Sequence, residues 1–159
     1  MLSTTEICLR LGAAVLAGGL VGINREMHSK PVGVRTLGLV ALGAALVTLA
    51  GSGVSGDGSN ADANASRAIQ GIITGIGFLG AGVIVKREGG GRVHGLTTAA
   101  AIWVTAALGI VCGVGAYRLL ALGTGFLLAT LMVGGIVDRL IEGWRRQTKS
   151  GRGGNDGPA

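Results

Sequence analysis

The chain has 159 residues, 48% hydrophobic, 3% aromatic and 14% charged, with 32 glycines and a formal net charge of +6. The charged share is far below the roughly 25% of a soluble domain, and the glycines follow no collagen period and sit among Leu, Val, Ile and Ala. Collagenous and disordered chains are thereby excluded, and an all-α membrane protein is expected: a bundle of about five transmembrane helices whose contacts are set by small residues.

The first apolar segment is Ile7–Ile23. Glu6 precedes it and Arg10 lies within it, whereas a cleaved secretory signal has basic residues before its apolar run, so a retained span is expected. Segments of bilayer-crossing length follow at Leu37–Val54, Ile69–Val85, Leu96–Val114 and Leu119–Val137. Between the second and third, Ser55–Ser66 reads as a polar loop. Its Asp57 and Asp62 lack the spacing and closing glutamate of a calcium loop. Apolar content ends after Trp144, so residues 1–142 are expected to form the membrane domain and residues 143–159 a basic, disordered cytoplasmic tail.

Basic residues collect on alternate connections. Arg25, Lys30 and Arg35 flank the first; Lys86, Arg87 and Arg92 occupy the third; Arg139, Arg145, Arg146, Lys149 and Arg152 follow the last span. The positive-inside rule places these in the cytoplasm, with the N-terminus outside and the C-terminus inside. The positive charge is thus an orientation signal with attraction to anionic lipid, and no nucleic-acid partner is expected. Two stretches also resemble each other: "GGLVGINRE" with "KPVGVR" after it, and "GFLGAGVIVKRE" with "GGGRVHG" after it. Either two repeated helix hairpins plus a fifth helix, or coincidence in a sequence of few residue types, accounts for them.

The stretch Gly75–Gly80 overlaps a G-x-G-x-x-G dinucleotide pattern. That fingerprint needs a following acid about 20 residues on; Glu88 comes too early and no acid lies near position 100. The glycines read better as a helix-packing face, with Gly18, Gly22, Gly71, Gly75, Gly77, Gly80 and Gly82 the expected contact positions. The polar residues within the spans are mainly threonines, whose hydroxyls bond to their own helix. No Asp, Glu or Lys lies at mid-membrane depth, where proton relays and ion-coupled carriers place one. Cys8 and Cys112 stand in separate apolar runs and read as small buried hydrophobes. His28 and His94 stand apart from both, so no metal site, no cofactor and no enzyme are expected.

Candidate functional residues are therefore sought at the basic end of the bundle, where Arg25, Glu26, Arg35 and Arg87 would meet if the hairpins pack together. Such arginines bind headgroup phosphates, pair with acids, grip an acidic partner, or only anchor the topology. The blocks "GGLVGINRE", "KPVGVRTLGLVALGAAL", "GIGFLGAGVI" and "GLTTAAAIWVTAALG" stand in this order and resemble the MgtC/SapB family of bacterial inner-membrane proteins, over roughly residues 6–139. The resemblance implies a membrane module of about five helices and a regulatory role in adaptation to low magnesium. In some members it also implies survival inside macrophages, through membrane partners that include the proton-translocating ATP synthase. A magnesium transporter or channel component is the alternative. Longer members add a cytosolic C-terminal domain, which this sequence is expected to lack. Departures occur at Leu37, His94 and Asn64, and at Thr97 and Val104, where virulence-type members carry Asn and Cys. Thr97, beside the arginines, is the fifth expected functional position, capping or lining the start of the fourth helix. Glycine faces on several helices lead to the expectation of a homodimer, with a further membrane-protein partner.

Overall fold

The computed structural model describes residues 2–52, 61–86 and 93–150. In chain order these form α1 (Thr4–Met27), α2 (Val34–Gly51), α3 (Ala61–Gly82), a two-residue strand pair β1 (Val85–Lys86) and β2 (Val93–His94), α4 (Leu96–Val114) and α5 (Tyr117–Ser150). Four of them, α1, α2, α4 and the stretch Tyr117–Val137 of α5, are long and apolar enough to cross a bilayer. The chain up to Thr124 is one compact unit, and the rest of α5 from Gly125 is a second.

Local chemistry sets most boundaries. Ser3 caps α1, its hydroxyl accepting from the Glu6 amide at 3.2 Å, and Glu6 lies in the first turn where an acid is favoured. Helix α4 starts after Gly95 (φ 91°) and stops at Gly115 (φ 83°), whose amide bonds the Val111 and Cys112 carbonyls. The first loop is strained: Val32, a β-branched residue, sits at φ 68°.

Three sequence expectations change. The third helix begins at Ala61 and not Ile69, so residues 61–66 are helical and not loop, with Asp62 in the first turn where the helix dipole favours it. It ends at Gly82, and the chain then pairs Val85 with His94 and Lys86 with Val93 as an antiparallel ladder. The polar first turns of α3 keep it out of the group of four apolar spans. Residues 143–150, expected in the disordered tail, continue α5; Arg, Gln and Lys sustain a helix there. Asp57, within the expected polar loop, lies outside the described residues, as do residues 151–159 of the tail. Gly75–Gly80 is helical, which disposes of the dinucleotide loop.

The core is built from small side chains. Ala14, Ala41, Ala45 and Cys112 form its buried centre. Large side chains face outward, Phe78 being 84% and Leu16 69% exposed. In water such a surface would associate, whereas a bilayer solvates it. Helix α2 packs on α1 and α4, with α1 against α4 and α3 against both α2 and α4. The first pair of helices thus meets the second in a repeated pattern. At one constant offset, Gly18, Gly33, Thr36, Ala44 and Gly51 match Gly80, Gly95, Thr98, Ala106 and Gly113, and Gly33 and Gly95 are the N-caps of α2 and α4. These correspondences favour the hairpin repeat over coincidence.

At the other end of the bundle, Arg10 joins α1 to α4. Its Nε donates to Glu6 Oε1 at 2.8 Å and its Nη1 to the Gly113 carbonyl at 2.7 Å, while the Tyr117 hydroxyl donates to the same Glu6 oxygen at 3.1 Å. A cation over the C-terminus of α4 also suits the helix dipole. Arg10→Ala is expected to lower stability by about 1–3 kcal/mol, and Glu6→Gln by less, because the carbonyl bond survives. Thermal unfolding in micelles measures both. Equal midpoints for Arg10→Ala and the unmodified protein would show that this network contributes nothing.

Candidate functional site

The end of the bundle that carries the α1–α2 loop holds the one arginine buried among the described residues. Arg25 lies in the last turn of α1 and is 3% exposed. A buried charge is costly unless its donors are satisfied. Here Nη2 donates to the Thr98 hydroxyl at 2.6 Å and to the Pro31 carbonyl at 2.9 Å, and Nε points to the Val32 carbonyl at 3.4 Å. One guanidinium thereby fixes the strained loop and bonds the start of α4. The charge is solvated by carbonyl and hydroxyl dipoles, and Arg25 pairs with no acid among the described residues.

Glu26 points the other way. It is exposed, and its Oε2 accepts a long bond, 3.5 Å, from the Val34 amide. Gly33 supplies no side-chain cap to α2, and this carboxylate stands in for one. A side chain on Gly33 would displace this carboxylate, the Cβ position lying 2.8 Å from Oε2.

Arg35, the second residue of α2, is exposed. With Thr36 it stands at one end of a groove between α2 and α3, of about 520 Å³, otherwise walled by aliphatic side chains such as Leu39, Ile76 and Leu79. Arg87 lies outside the described residues. Thr97 is exposed and caps nothing: the N-cap of α4 is Gly95, with no side-chain bond. Its neighbour Thr98 is buried and holds Arg25. One residue along a helix turns the side chain by about 100°, which separates the exposed threonine from the buried one.

The expected packing glycines divide. Gly18 faces the Leu37 carbonyl, and Gly22 faces Val34, whose Cα lies 2.5 Å from the Cβ position. Gly80 is buried, in ordinary contact with Ala99. A Cβ on Gly71, Gly75, Gly77 or Gly82 would meet no described atom within 4 Å, so those four do not serve contacts within the described chain. Gly109 against the Ala41 carbonyl and Gly113 against Thr48 form instead the α2–α4 seam.

The interior offers little polar surface. Thr48 and Thr105, both buried, donate to the Ala44 and Ala101 carbonyls one turn back at 2.8 and 2.7 Å. Thr74 and Thr130 do likewise on exposed faces. Thr124 Oγ1 is buried without a partner among the described residues. The described residues bring no three His, Cys, Asp or Glu side chains together.

Apolar helices around a small-residue core, with a buried arginine clamp where the chain turns, define a polytopic helical membrane protein. Comparison with known sequences narrows this: the chain belongs to the MgtC family, whose model matches residues 11–140. It is 46% identical to protein SrpB of Synechococcus elongatus over 149 residues, 89% of this chain and 81% of that one. It is 44% identical to protein MgtC of Brucella abortus over 128 residues, 80% of this chain and 50% of that one. YhiD of Escherichia coli K12, whose name assigns it provisionally to magnesium transport, is 40% identical over 133 residues, 82% of this chain and 61% of that one. The chain thus spans about half the length of the Brucella protein. No solved structure matches.

Proposed function

We propose that the chain is a non-enzymatic regulator in the bacterial inner membrane, with its N-terminus outside and its C-terminus in the cytoplasm. It acts in adaptation to low magnesium by contacting a membrane-protein partner, of which the ATP synthase is one candidate, and it does so as a homodimer. The observation that carries this reading is the division of labour around the first loop. Arg25 is consumed in holding the loop, and Glu26 and Arg35 are presented outward on the fixed turn. A rigid turn with an exposed acid and an exposed arginine suits recognition of another protein.

A magnesium transporter is the second reading, favoured by the name of YhiD. Against it stand threonine hydroxyls already bonded to their own helices. The departures at Thr97 and Val104 speak against a role in survival within host cells.

In a strain lacking the gene, the unmodified chain is expected to restore growth in low magnesium. Arg35→Gln, although it reaches the membrane at normal abundance, is not. Liposomes holding the pure protein should pass no more magnesium than empty ones; flux above that background would overturn the regulator in favour of the transporter. Cross-linking in native membranes tests the homodimer, and monomer alone would refute it.

A further inference from the structure

We propose that the groove between α2 and α3 binds one anionic phospholipid, an acyl chain lying along it and the phosphate held by Arg35 and Thr36. The inference requires only that the helices span a membrane and is independent of the regulatory reading.

Length, polarity and shape agree. On α2 the lining runs from Arg35 to Val47. At about 1.5 Å per residue this is about 18 Å, close to the roughly 15 Å hydrocarbon depth of one leaflet. Val40, Val47 and Ile72 join the aliphatic wall along this length, while the charged and hydroxyl side chains, Arg35 and Thr36, stand together at one end. That is the polarity of half a lipid. The volume of about 520 Å³ falls within the roughly 300–1,000 Å³ of ligand sites.

The groove exists because two glycines leave it open. Gly43 on α2 and Gly75 on α3 both line it, and a Cβ at either would meet no described atom within 4 Å. At the mouth, Arg35 is exposed and pairs with no acid among the described residues. A guanidinium fits phosphate oxygens through paired N–H donors. Positive charge at the leaflet surface with an apolar trough below it selects an anionic lipid over a second helix, whose backbone would need closer contact along the whole groove.

The test uses the full chain in micelles, supplied with phosphatidylglycerol and phosphatidylcholine of identical acyl chains and examined by native mass spectrometry. The unmodified protein is expected to retain one phosphatidylglycerol per chain, with about a fivefold preference over phosphatidylcholine, the size expected for one basic side chain at an anionic surface. Arg35→Gln should keep a lipid and lose the preference. Gly75→Leu, and independently Gly43→Leu, should fill the groove and retain neither lipid while unfolding at or above the original temperature. Equal retention of the two lipids by the unmodified protein would overturn the proposal. So would phosphatidylglycerol retention surviving both leucine variants, or a dimer mass that both leucine variants abolish, which would make a second copy the occupant.

Discussion

Arg25→Met is expected to destabilise the protein by about 2–4 kcal/mol, more than any other single deletion of a polar side chain at this end of the bundle. Removing a buried charge sometimes stabilises, because the desolvation penalty goes with it. Here the opposite effect wins. The carbonyls of Pro31 and Val32 would lose their donor, and an unpaired buried acceptor costs about 1–3 kcal/mol. The strained φ of Val32 would lose the bond beside it, so the loop would relax and carry Arg35 with it. Arg25→Lys should recover little, since one ammonium cannot serve two loop carbonyls and a hydroxyl in the plane of a fork. Thr98→Val should cost about 1 kcal/mol, because the two carbonyls still hold the guanidinium. The Arg25→Met/Thr98→Val double variant should be no less stable than Arg25→Met alone, because the contact they share can be lost only once. Unfolding midpoints in micelles measure all four. If Arg25→Met unfolds with the unmodified protein, or if the two losses simply add, the clamp is not what holds the loop.

That clamp was half legible in the sequence. Arg25 stands out as a basic residue at the end of an apolar run, but spacing cannot say which side of the next helix it reaches. The threonine that Arg25 reaches is Thr98, turned by about 100° from its exposed neighbour Thr97. Arg10 was read only as evidence against a cleaved signal. Its partner, the Gly113 carbonyl, lies 103 residues away, and no local pattern marks such a contact. The bounds of α4 were readable because Gly95 and Gly115 bracket a continuous apolar run. The start of α3 was missed because its first turns, "ADANASRA", are polar and look like loop, although a helix N-terminus accepts an acid such as Asp62. The loop residues near Arg35 show their charge in the sequence but not the groove below them, which depends on the space left open at Gly43 and Gly75 on two separate helices.

The glycines carry the second large effect, and its sign depends on the position. Gly109→Ala puts a methyl group into the Ala41 carbonyl, with the Ala44 Cβ at 2.8 Å and the Ala41 Cα at 2.9 Å. Those atoms belong to the backbone of α2 or sit directly on it, so no rotamer change relieves the clash. Helices α2 and α4 must separate along the seam that also holds Gly113 against Thr48. A loss of about 3 kcal/mol or more is expected, and the same holds for Gly18→Ala against the Leu37 carbonyl. Gly95→Ala adds the cost of a positive φ to a collision with the Val83 carbonyl. Gly71→Ala and Gly77→Ala run the other way. Both positions are helical and open, so the methyl meets nothing and helix propensity improves by up to about 1 kcal/mol. Sequence spacing alone treats Gly18 and Gly77 as equivalent small residues, while the fold gives them opposite signs. Unfolding midpoints of these variants at high dilution in micelles test this directly. A loss at Gly77→Ala that appears only at high protein-to-detergent ratio would mean that a second chain covers this face of α3, which makes the same substitution a probe of the homodimer. A loss at Gly77→Ala that persists on dilution would contradict the assigned packing of α3.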